Sequence, residues 1–134
     1  MRTIEICDVG PRDGLQNAAR IWSVAERIEF IDRLSAAGLP RIEAVSFVNP
    51  KRVPQMADAE AVLAALPARD DVTYIGLALN RRGLDRAVAA GCTEVNYALV
   101  ASDAFSQRNQ GTDVLQGVDV WHDIADAARA AGIR

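Results

Sequence analysis

Three times this chain closes a helix-like stretch on the same cadence of small residues: Ala36-Ala37-Gly38, Ala89-Ala90-Gly91 and Ala130-Ala131-Gly132. Small side chains followed by glycine suit a helix that must turn back tightly onto a sheet. The first two copies lead within a few residues to an apolar residue and a strand glutamate, Glu43 and Glu94. β-branched runs that alternate with amphipathic helices constrain a chain to a parallel sheet, because parallel strands need crossovers long enough to hold a helix. The class is therefore α/β. A four-stranded open domain and part of a larger barrel both satisfy this rhythm.

In order, the pattern predicts a first strand over residues 3–9. Ser23-Val24-Ala25-Glu26 reads as a capping box, with the serine accepting an orphan amide and the glutamate reaching back. In the helix that follows, Val24, Ile28, Ile31 and Leu34 form one stripe, and Glu26, Arg27, Glu29, Asp32 and Arg33 take the remaining faces. Gly38 and Pro40 stop it. A second strand runs from Arg41 to Val45 and ends at Ser46-Phe47. A loop over 48–57, a short helix over 58–66 and a third strand over 72–78 come next. A third helix runs from Arg81 to Gly91, a fourth strand over 93–100 and a fourth helix from Asp113 to Gly132.

Composition narrows the partners. Half of the 134 residues are apolar, enough for one core. Net charge is −3, no basic run occurs, and aromatics number only three Phe, two Trp and two Tyr, so no nucleic-acid partner is expected. No apolar stretch approaches a membrane span, and no signal-like segment precedes the first strand, so a cytoplasmic protein is expected. Cys7 and Cys92 are too few and too far apart for a disulfide framework or a Cys-x-x-Cys site. Both are expected to be reduced.

The chemistry concentrates behind the first strand, in Val9-Gly10-Pro11-Arg12-Asp13-Gly14-Leu15-Gln16-Asn17. Glycine permits the turn and proline fixes φ, so Arg12 and Asp13 are held as a cation and a carboxylate pointing into one cleft. Taken alone, an Arg-Asp dipeptide is more often a surface ion pair. Glu43 lies within a strand expected to be buried on both faces, where a carboxylate must be paired or functional. In parallel α/β folds the loops leaving the C-terminal strand ends carry function. Those loops hold Arg12, Lys51, Arg52, Arg81, Arg82 and Arg108, a cationic rim suited to an anionic substrate. For Arg81, Arg82 and Arg108, each taken singly, a solvated surface charge is the better reading, and His122 reads as an ordinary helix residue.

The block from Val9 to Asn17 resembles the signature of the 3-hydroxy-3-methylglutaryl-CoA lyases, a metal-dependent TIM-barrel family. Ser46-Phe-Val-Asn-Pro-Lys-Arg-Val-Pro-Gln-Met-Ala-Asp58 resembles the loop after that family's second strand. The resemblance implies the first four βα units of a TIM (β/α)8 barrel, cut before strand five, with residues 1–134 as one half of a barrel domain of about 250 residues. It implies a retro-Claisen cleavage of 3-hydroxy-3-methylglutaryl-CoA, or a related 3-hydroxyacyl-CoA, to acetyl-CoA and acetoacetate, with Mg or Mn as cofactor. Asp13 becomes a metal ligand and Arg12 a catalytic and substrate-binding cation, with Glu43 beside it in the catalytic group. Gln16 and Ser46 become substrate-binding residues. The family's remaining metal ligands and its catalytic cysteine have no counterpart among these 134 residues, so the chain alone is expected to be inactive, and its open edges to self-associate as a homo-oligomer.

Two alternatives stay open. The related isopropylmalate and citramalate synthases usually carry an acidic residue where Leu15 stands, and a different second loop. A non-catalytic α/β module binding an acyl-CoA or a protein partner is the other. Asp8 where the lyases usually have glutamate, Ala18 where an acidic residue is common, and Arg52 in place of a frequent tryptophan imply that the acyl group could differ from hydroxymethylglutaryl.

Overall fold

The computed structural model describes residues 3–134; Met1 and Arg2, which the single-domain assignment takes in, lie outside the described residues. Four strands, β1 (Cys7–Asp8), β2 (Arg41–Ser46), β3 (Thr73–Leu77) and β4 (Glu94–Asn96), pair in chain order, and every pair is parallel. Helices α1 (Val24–Ala36), α2 (Ala59–Ala65) and α3 (Arg81–Ala89) make the crossovers, and α4 (Asp103–Gln110) and α5 (Val114–Ala130) follow β4. The α/β class and the four strand–helix units stand as the sequence indicates.

Local chemistry sets the helix ends. Ser23 Oγ accepts from the Glu26 amide at 3.3 Å while the Glu26 carboxylate accepts from the Ser23 amide at 2.8 Å, closing the expected box. Hydrogen bonds from Arg20 and from the Ser23 amide hold the Glu26 carboxyl down at about 2. The glycines ending the three small-residue cadences, Gly38, Gly91 and Gly132, all adopt positive φ, which a β-carbon would strain.

Ile31, Ile42, Ala44, Val45, Phe47, Ala59 and Val62 form the main core between the sheet and its helices. A smaller cluster of Ala78, Leu84 and Ile124 seats α5. β2 is irregular: its register against β3 shifts between Glu43 and Val45, a β-bulge. Ala44 and Val45 therefore both join the helix-side core, and Glu43 and Ser46 are left to the opposite face. A regular strand would send residues three apart to opposite faces.

Four expectations are corrected. The first strand is short because residues 3–6 lie opposite the turn ending in Pro40, which has no amide to donate. The fourth stops at Asn96 because β3 ends at Leu77, and the chain then leaves for α5, where Tyr97 Oη donates to Gly117 O at 2.9 Å. The helix α4 lies in what reads as a loop. It has no apolar stripe, buries only Ser106, and is fixed by Gly111 in the left-handed region and by Asp103 Oδ1, which accepts from the Val114 amide. Finally Arg27, expected on an outer face, is 1% exposed. Beyond β4, the Arg134 amide donates to Thr93 O at 3.1 Å and the Val95 amide to Arg134 O at 2.9 Å, the alternation of a parallel ladder.

The tightest backbone approach is at Gly76 in β3. A β-carbon there would sit 2.7 Å from the Phe47 ring and 3.3 Å from Cys92 Sγ, both buried. We expect Gly76→Val to destabilise the protein by about 1–3 kcal/mol through overpacking. A lowered denaturation midpoint at unchanged slope checks this.

Candidate active site

The C-terminal ends of the four strands open onto one cleft of about 490 Å³. All four exit loops contribute: Arg12, Asp13 and Gln16 after β1, Asn49 and Arg52 after β2, Asn80 after β3, Arg108 and Asn109 after β4. Its position follows from strand polarity, as expected.

The turn after β1 is shaped by its own sequence. Asp8 Oδ1 accepts from the Gly10 amide at 2.8 Å, so the shorter carboxylate that departs from the lyase pattern closes a local turn. A β-carbon on Gly10 would meet that oxygen at 2.9 Å and the Phe30 ring at 3.3 Å. The Asp13 and Gly14 amides both donate to Val9 O, at 2.7 and 3.3 Å, giving one wide π-helical turn over Gly10–Gly14 with Pro11 buried in its first turn. Arg12 is thereby aimed at the sheet.

There it meets Glu43. Arg12 Nε and Nη2 both lie 2.7 Å from Glu43 Oε2, and Asn96 Nδ2 donates to Glu43 Oε1 at 3.1 Å. The Glu43 side chain is 3% exposed, so this carboxylate is fully committed to its partners. On its open side Arg12 Nη1 donates to Asp13 Oδ1 at 3.0 Å, and Asp13 is 57% exposed. The order Asn96, Glu43, Arg12, Asp13 runs from the buried sheet to the cleft. Such charge-assisted contacts restrain a guanidinium in both position and plane.

Of the residues singled out from the sequence, Arg12, Asp13 and Gln16 line the cleft, while Glu43 and Ser46 do not. Glu43 acts through Arg12. Ser46 is fully buried on the same face as Glu43 because of the bulge, and among the described residues neither its Oγ nor the buried Gln16 Oε1 has a partner. Asn96 was missed by sequence reasoning. Its signal was an amide side chain closing a strand that already held the buried Glu94. Of the cationic rim, Arg52 and Arg108 reach the cleft, whereas Lys51, Arg81 and Arg82 are not on its lining, and Arg81 pairs with Asp85 and Asp123. Neither Arg52 nor Arg108 enters an ion pair among the described residues. Asp13 is the one carboxylate on the lining, so the cleft favours an anion.

For a divalent cation the donor set is short. No group of three His, Cys, Asp or Glu side chains converges among the described residues, and Asp13 offers one hard oxygen of the several that Mg or Mn takes. His122 lies beside Trp121 in α5 with the two rings tilted by 58°, off the cleft. Burial raises the Cys92 thiol above its ordinary value, which leaves it inert. The second strand glutamate, Glu94, pairs with Arg41 at the far end of the sheet from the cleft. No described helix is long and apolar enough to cross a membrane.

The HMGL-like family model matches residues 3–134. The chain belongs to that family. It is 42% identical over 134 residues to hydroxymethylglutaryl-CoA lyase of Pseudomonas mevalonii, covering all of this chain and 44% of that protein. It is 45% identical over 132 residues to the mitochondrial hydroxymethylglutaryl-CoA lyase of Bos taurus, covering 98% of this chain and 41% of that one. The crystal structure of hydroxymethylglutaryl-CoA lyase from Pseudomonas aeruginosa superposes with a TM-score of 0.93 at 44% identity, over 98% of this chain and 44% of that one. A lyase structure from Acinetobacter baumannii in complex with coenzyme A and 3-methylmalate gives 0.89 at 34% identity, over 94% and 41%. The chain thus spans less than half the length of the relatives it matches, as the four-unit reading expects.

The Arg12–Glu43 contact generates a stability prediction. Glu43→Ala leaves the guanidinium with only the exposed Asp13 as counter-charge and should cost about 3 kcal/mol. Glu43→Ala with Arg12→Met should recover part of that loss. A double-mutant cycle by urea unfolding measures the coupling; additive losses would show that the pair contributes nothing beyond its parts.

Proposed function

We propose that this chain forms the N-terminal part of a barrel enzyme that cleaves 3-hydroxy-3-methylglutaryl-CoA, or a related 3-hydroxyacyl-CoA, to acetyl-CoA and a keto acid, acetoacetate for the parent substrate. One observation carries the proposal: a guanidinium fixed by a buried carboxylate stands beside Asp13 in a cleft whose other cations, Arg52 and Arg108, enter no ion pair among the described residues.

The chemistry asks for such a group. As the C3 hydroxyl loses its proton, the bond between C2 and C3 breaks and its electron pair passes into the thioester as an enolate, which later takes up a proton at C2. Arg12 remains charged throughout and is preorganised by Glu43, so it can stabilise the enolate oxygen without reorganising. Asn96 holds the far oxygen of Glu43 and keeps that carboxylate from swinging away. Gln16, whose Oε1 lacks a partner, is assigned to the substrate's polar groups, and Ser46 supports the same face. Arg52 and Arg108 attract the anionic acyl-CoA. Mg or Mn, when bound, supplies Lewis-acid charge to the hydroxyl and carboxylate oxygens. Asp13 is the residue assigned to it. Asp8, Ala18 and Arg52 leave the acyl group open to chemistries other than hydroxymethylglutaryl.

In the full-length enzyme, Arg12→Lys should lower kcat about a hundredfold, as expected for a lost oxyanion-type contact, with Mn affinity nearly intact. Acetyl-CoA release measures the first and metal titration the second; near-normal turnover would remove Arg12 from the mechanism. Asp13→Ala should weaken Mn binding at least tenfold. Unchanged affinity would leave Asp13 a structural residue.

A further inference from the structure

The loop between β2 and α2 supplies Val48, Asn49, Arg52 and Val53 to the cleft wall, yet it is anchored from behind by two arginines of neighbouring helices. Near its start, Arg86 Nη1 of α3 donates to Val48 O at 3.1 Å. At its end, Arg27 Nη1 of α1 donates to Ala57 O at 2.7 Å. Between these points the loop is tied mainly to itself: the Arg52 and Val53 amides donate to Asn49 O at 2.9 and 3.0 Å, and the Lys51 amide to Asn49 Oδ1 at 2.9 Å. Gln55 Nε2 adds a long contact to Ala18 O at 3.4 Å.

Arg27 is costly where it sits. It is 1% exposed, and its Nε and Nη2 are buried without a partner among the described residues. A buried guanidinium with a single hydrogen bond is a poor stabiliser, and an apolar side chain of similar volume would pack there at lower cost. What Arg27 does that such a side chain cannot is grip one carbonyl, and the residue after that carbonyl, Asp58, is strained into the left-handed region at φ 59°. The carbonyl thus lies where the loop turns into α2.

We propose that Arg27 is a positioning residue that latches the end of this loop and so sets where Asn49 and Arg52 stand in the cleft. The latch rests on geometry alone; its effect on acyl-CoA binding rests on the lyase reading as well. Arg86 anchors the start of the same loop but is also committed to Glu60 through two contacts, at 2.7 and 3.0 Å, whereas the Arg27 side chain makes no other hydrogen bond among the described residues.

The test compares R27Q, which is too short to reach Ala57 O, with R27K, which retains one donor, in the full-length enzyme. Trypsin reports on the loop directly through cleavage after Lys51 and Arg52. R27Q should speed cleavage there about tenfold relative to cleavage after Arg33 within α1, and raise KM for the acyl-CoA about tenfold with kcat within about threefold. R27K should match the parent in both. Equal acceleration at all tryptic sites, or none in the loop, would overturn the latch, as would an unchanged KM with a loosened loop for its role in positioning the cleft. Should R27Q fail to fold, R27M, which keeps much of the packing volume but has no donor for Ala57 O, takes its place: faster cleavage confined to the loop supports the latch and parental loop cleavage overturns it. Loop loosening in an enzyme that turns over no acyl-CoA would sink the lyase reading and leave the latch standing.

Discussion

The contact between Arg12 and Glu43 joins two problems that the chain must solve together. Glu43 is 2% exposed in a middle strand of the sheet, where its carboxylate finds no solvent, so it needs a cation. A cleft that must steady a developing negative charge needs a cation that does not move. One guanidinium meets both demands. Removing Arg12 leaves a buried carboxylate without its cation, and removing Glu43 leaves the guanidinium with only the exposed Asp13 as counter-charge. The wide turn over Gly10–Gly14, the tolerance for no side chain at Gly10, and the Asn96 amide behind Glu43 all serve this one contact.

Much of the architecture was legible because periodicity reports burial. The capping box at Ser23, the stop at Gly38 and the strands around Ile42 and Ile75 each follow from a local rule. What escaped was set by neighbours. Arg27 falls on a polar position of its helix by spacing, yet α2 and the preceding loop cover that position. Helix α4 has no stripe to read because it buries almost nothing; its two ends, at Asp103 and Gly111, are what hold it. The ends of β1 and β4 were overestimated because residues suited to extension remain unpaired where the adjoining strand stops.

The site was legible in part for a related reason. Arg12, Asp13 and Glu43 announce themselves as charges where charges are expensive or constrained. Ser46 and Glu43 share a face only because β2 carries an extra residue, and strand alternation would have separated them. Asn96 is uncharged, and its role depends on a strand two positions away in the sheet. Arg108 and Arg81 look alike in sequence, both arginines in exit loops, but one faces the cleft and the other is absorbed by Asp85 and Asp123. The missing information is which charges already have partners.

The parallel order of the sheet has a kinetic consequence. Arg12 and Glu43 are 31 residues apart, Asn96 and Glu43 53 apart, and neither contact can form until an intervening helix has been built and folded back. Closing such loops is entropically unfavourable before the contacts reward it, so a topology of this kind places its long-range pairs late in assembly. Until then the guanidinium and the carboxylate both stay hydrated. The polar centre of this protein is therefore a product of completed folding.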